Sequence, residues 1–219
     1  MSSKQKATSS VRAGDAYGKS TDKLSVKEFR DRFCIPNGVI VEFLNGEDVV
    51  PTEKVEQGTV IFSKEQFNAG LRFPLPALFK EFLHFTQIPP VFIHPNIVRV
   101  LMGCSIINML YNLDLTVLEV FFVYSLKKVK TDIFSMSAHL PSLQLVTELP
   151  DSTKGGAKGH VAVQGAWAGS SGRPGRPFSP NYSLAIPGKF ALRLLSGFLP
   201  CCLFVDLFGW YSQPLLLSM

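Results

Sequence analysis

Four histidines, four cysteines and a scatter of carboxylates are the side chains from which this 219-residue chain could build catalysis or a metal site. A zinc site needs Cys and His ligands clipped in close pairs. Cys34, Cys104, Cys201 and Cys202 offer no such clip, because the two that lie close are adjacent. His84, His94, His139 and His160 are far apart in sequence and read as structural or surface residues. Two-metal cleavage of nucleic acid needs several carboxylates converging on metals about 3.5–4 Å apart. Glu81, Asp114, Glu119, Asp132, Glu148 and Asp151 are the candidates, and no triad stands out among them. Asp114 and Glu119 sit at a helix start, where acids are expected for capping alone.

Loops that could hold a phosphate or a nucleophile have the wrong order. A Walker loop surrounds phosphate with backbone amides and one Lys in a fixed Gly-x-x-x-x-Gly-Lys-Ser/Thr sequence. Lys154-Gly155-Gly156-Ala157-Lys158-Gly159 is Gly-rich without that order, and reads as a flexible turn. Gly169-Ser170-Ser171-Gly172 lacks the spacing of a nucleophile elbow. Gly172-Arg173-Pro174-Gly175-Arg176-Pro177 is only a distorted form of the Arg hooks that enter a narrow minor groove. The remaining candidate is Lys127-Lys128-Val129-Lys130, in which Lys127, Lys128 and Lys130 could contact phosphates. The same lysines also suit the last turn of a helix, where they complement its dipole. The expectation is therefore no catalytic site, no metal and no cofactor.

Composition sets the frame for these residues. Hydrophobic residues make up 46% and charged residues 18%, the latter below the roughly 25% usual in soluble domains. Phe occurs 18 times. Enough apolar surface is present to build a core, which excludes full disorder. The formal charge of +5 is uneven. Residues 1–30 carry seven Lys/Arg against three Asp/Glu, residues 31–60 two against six, and residues 161–219 four against one. A basic tail followed by an acidic stretch gives little footprint for a nucleic-acid domain, which concentrates charge on one face. The cysteine pattern and the polar start from Met1 to Lys27 read as an intracellular, reduced protein of nucleus or cytoplasm with no secretory signal.

The elements that must position any site follow from capping and period. Residues 1–24 read as a disordered basic tail. Ser25-Val26-Lys27-Glu28 is a capping box opening a helix to about Phe33, and Val39–Leu44 and Thr59–Phe62 are strand candidates. Ser63 caps a short helix with Gln66 in the reciprocal position. Pro76 opens the next helix, which carries Leu78, Phe79, Phe82, Leu83 and Phe85 on one face. Pro95 starts a helix to about Tyr111 whose apolar stripe is Ile97, Val98, Leu101, Met102, Ile106, Met109 and Leu110, widened by Val100, Cys104 and Ile107. A helix so apolar all round belongs in the centre of a core or in a membrane. Thr116 and Glu119 form another capping box, and its helix is expected to continue to the lysines at 127–130. Phe134–Thr147 reads as two short strands around Pro141. Residues 152–189 are dense in Gly, Ser and Pro and read as linker or irregular loop.

A membrane span needs about 20 apolar residues. The central helix is uncharged only from Val100 to Leu113, and the tail only from Leu194 to Val205. Residues 190–219 read as an apolar tail packed on the core; a tail anchor is the alternative.

Several Pro-marked segments occur in a telling order: Phe73-Pro74-Leu75-Pro76, then Leu83-His84-Phe85 and Ile88-Pro89-Pro90, then His94-Pro95-Asn96, then Thr116 to Phe122. With Ser142-Leu143-Gln144-Leu145-Val146 and the stretch from Lys158-Gly159 to Trp167, this order resembles the plant gypsy-type transposon domain, a group labelled transposase. The resemblance covers about residues 58–168. It implies a retroelement (retrotransposon) open reading frame and supplies no catalytic residue. Residues 170–219 depart from the group's pattern.

The expected fold is α+β, a mostly helical domain over residues 25–168, with a Gly/Pro/Ser linker at 169–189 and an apolar tail at 190–219. Its core is expected where helix 95–111 packs on helices 76–86 and 117–129. The expected function is a non-enzymatic, retrotransposon-derived assembly protein that self-associates and binds RNA or DNA weakly through basic segments. The alternatives are a transposase-like enzyme of DNA mobilisation and a tail-anchored membrane protein.

Overall fold

A computed structural model describes residues 20–44, 58–129, 132–139, 141–150, 158–169 and 178–186. The fold is α+β. Five α-helices accompany a three-stranded and a two-stranded antiparallel sheet among the described residues.

Three helices begin with the same device. Ser25, Ser63 and Thr116 each accept from the backbone N–H three residues on, while Glu28, Gln66 and Glu119 reach back to the cap residue's N–H. Each reciprocal pair satisfies two donors that a helix start leaves open. The helices are α1 (Val26–Arg32), α2 (Lys64–Asn68) and α5 (Val117–Val123). Between α2 and α5 lie α3 (Ala77–Thr86) and α4 (Pro95–Tyr111). Pro76 is the N-cap of α3 rather than its first residue.

Strand β1 (Val39–Leu44) and strand β2 (Val60–Ser63) do not pair with each other. Both pair antiparallel with β5 (His160–Gly165), which lies between them. Val41 and Val60 both stand opposite Val163, and Phe43 and Phe62 opposite Val161. Val161 and Val163 are completely buried, as period-two alternation requires of the inward face. The central strand thus falls within the stretch expected to be linker. Its Gly, Ser and Pro neighbours conceal the short run His160-Val161-Ala162-Val163-Gln164. Residues 178–186, also expected to be linker, are tied to the domain. The Asn181 amide donates to the carbonyls of Gln87 and Ala185, and Trp167 meets Phe178 edge-on.

Helix α5 stops at Val123, six residues before the end expected for it. Tyr124–Lys128 is instead strand β3, paired with β4 (Phe134–Ala138) from Tyr124 opposite Ala138 to Lys128 opposite Phe134. The physical reason is Tyr124. Its ring is fully buried, and its hydroxyl is held by the backbone of Val146. Continued helix would forfeit both that anchor and the ladder to β4. Among the described residues between Phe134 and Thr147 one strand forms, and Pro141–Leu143 is a 3-10 turn.

One apolar cluster joins all of this. Around α1, α2 and β2 it is aromatic: Phe29, Phe33, Phe62, Phe67 and Phe73 meet with ring centroids 4.6–6.2 Å apart. Tilted and edge-on contacts of this kind add about 0.5–1.5 kcal/mol per pair beyond area burial. Around α3, α4 and α5 the cluster is mainly aliphatic, and Phe82 meets Phe121 at 6.0 Å. The three-helix core expected from the apolar stripes is thus half of a larger one. Phe85 leaves that stripe and is half exposed.

Thr21–Lys23 forms a 3-10 turn whose Thr21 hydroxyl donates to Asn68, and the Asp22 carboxylate accepts from the Lys158 N–H. Order therefore begins before residue 25. The remainder of the expected basic tail lies outside the described residues, as do the tail at 190–219 and most of the Gly-rich and Arg-Pro segments. No helix among the described residues is long and apolar enough to cross a membrane.

Candidate functional site

Helix α4 is held at its start by a polar frame. His94 is its N-cap, with Nδ1 accepting from the Asn96 N–H at 3.1 Å. Burial, and next the Arg99 guanidinium, lower the pKa of this imidazole, while Glu65 pulls it the other way. The His94 N–H donates to the Phe134 carbonyl, and the Asn96 side chain to the Pro150 carbonyl. The Gln66 amide donates to the carbonyls of Pro90 and Ile93, fastening the approach to the helix from α2. Within this frame Ile97, Val98, Val100, Leu101 and Cys104 are fully buried, and burial pushes the Cys104 thiol up to about 11.

The second half of the same helix emerges from the core. Ile106 and Leu113 are half exposed, and Met109, Leu110 and Tyr111 are 75%, 72% and 72% exposed. Leu118 at the start of α5 is exposed too. The expectation that the whole apolar stripe lies inside is corrected here: Ile106, Met109 and Leu110 face outward. The helix ends at Asn112 in a left-handed conformation (φ 51°), whose N–H donates to the Asn108 carbonyl. The Asn108 side chain accepts from the Leu115 N–H, which fixes the turn into α5. From Val100 to Leu113 the sequence carries no charge; Arg99 and Asp114 bracket it.

These side chains make up an uncovered apolar face. Ile106, Met109 and Leu110 share one side of the last turns of α4, and Leu113 follows just past its end. Large exposed apolar patches mark interaction surfaces. Sequence period identified Ile106, Met109 and Leu110 but not their exposure, because one apolar helix looks the same whether its last turns are covered or bare; Tyr111, Leu113 and Leu118 fall outside the stripe.

The lysines named as phosphate contacts are differently placed than a helix end would put them. Lys127 and Lys128 are exposed neighbours on β3, where successive side chains point to opposite faces. Lys128 is paired with Asp132 at 2.7 Å. Lys130 lies outside the described residues. With α5 ending at Val123, Lys127 and Lys128 stand on a strand and no helix dipole faces them. Elsewhere arginines serve the fold: Arg30 donates to the carbonyls of Val39 and Pro36, and Arg72 to those of Phe67 and Leu71. Arg32 and Arg72 also lie against the Phe33 ring at 5.6 and 5.5 Å.

The acids considered for metal binding are dispersed. Glu119 serves the α5 cap, Asp132 pairs with Lys128, and Asp151 lies outside the described residues. Among the described residues no group of three or more His, Cys, Asp or Glu is arranged to hold a metal ion. No known protein family, curated protein or solved structure matches the chain.

Proposed function

We propose that this chain is a non-enzymatic assembly protein of retroelement origin, working by protein–protein contact. The single observation that carries the reading is the bare apolar face on the last turns of α4 and the start of α5. Keeping such a face in water is unfavourable by about 25 cal/mol per Å², and a contact that covers it recovers that free energy. The retroelement origin rests on the ordered Pro-marked segments. In the fold they delimit helices: Pro76 caps α3, Pro90 opens a 3-10 turn after it, and Pro95 is the first residue of α4. Any association with RNA or DNA is electrostatic and weak, through exposed lysines such as Lys127 and Lys128.

Light scattering on the full chain over a range of concentrations, with and without RNA and at low and high salt, tests the reading. The expected result is a concentration-dependent mass above one chain, insensitive to salt, with RNA retained only at low salt. A single-chain mass at every concentration would overturn it.

A further inference from the structure

We draw no further inference here: the strongest candidate, the bare apolar end of α4 around Ile106, Met109 and Leu110, belongs to the face already described, and nothing in the structure shows what covers it.

Discussion

The hydroxyl of Tyr124 donates to the carbonyl of Val146 at 3.1 Å and accepts from the N–H of the same residue at 2.8 Å. One side chain thus satisfies both backbone groups of a residue 22 positions away, in a segment with no strand partner of its own. The contact fixes residues 144–150 over α4, where the Asn96 side chain holds them again at Pro150. Tyr124→Phe keeps the ring and removes both bonds. Val146 is partly exposed, so water relieves some of the loss, and a destabilisation of about 1–2 kcal/mol is expected. Urea unfolding measures it, and amide exchange at Val146 should quicken more than at Cys104.

Beneath Val146 lies Gly103. A Cβ added there would stand 2.6 Å from Val146 Cγ2, closer than atoms tolerate. Replacing Gly by Ala inside a helix ordinarily stabilises by about 0.8–1 kcal/mol. Here the sign is expected to reverse, with Gly103→Ala lowering the urea midpoint. The double variant Gly103→Ala, Val146→Ala should recover much of the loss. A midpoint raised by the single substitution would show that the segment carrying Val146 yields freely.

Gln66 is nearly fully buried and makes four hydrogen bonds: two in its capping box with Ser63, and two to the carbonyls of Pro90 and Ile93. Gln66→Ala leaves those carbonyls and the Ser63 N–H without a side-chain partner. The Pro90 carbonyl still accepts from the Ile93 N–H, so a loss of about 2 kcal/mol is expected, from the Ile93 carbonyl and the Ser63 N–H. The measurement is again urea unfolding. A cost below about 1 kcal/mol would mean that water replaces the amide.

Acid should loosen the start of α4. The N-cap bond needs an unprotonated Nδ1 on His94, since a doubly protonated imidazole only donates. Burial, with Arg99 adding to it and Glu65 opposing, sets the folded pKa below the ordinary 6.5. The fold therefore favours the neutral ring. Its contribution is present above 6.5 and is lost as pH falls through the lowered folded value. His160, also lowered by burial, acts with the same sign. Urea midpoints should hold from neutral pH to about 6.5 and decline below it. His94→Asn caps without titrating and should flatten part of that decline. A midpoint that rises on acidification would contradict the placement of His94.

Capping chemistry made the helix starts legible: Ser25 with Glu28, Ser63 with Gln66 and Thr116 with Glu119 each read as a box and each forms one. The end of α5 was not legible, because Val120–Leu126 is apolar in a way that suits helix and strand alike. What decides is the reach of Tyr124 to Val146 and the pairing with β4, both contacts distant in sequence. Strand β5 escaped notice for a similar reason. Its partners precede it by roughly a hundred residues, and local composition argues for loop. The apolar face on α4 was half legible. The residue types were plain at Ile106, Met109 and Leu110, but only the arrangement of α3, α5 and β4 leaves the last turns bare.

The position of β5 bears on how a growing chain acquires this shape. The first two strands leave the ribosome with an empty slot between them, and the strand that fills it emerges only after the helices have been made. Until residue 165 is free, the inner edges of both neighbours are open to any extended peptide nearby. Arrest during synthesis just short of that point would expose two sticky margins at once, whereas a few more residues close them together.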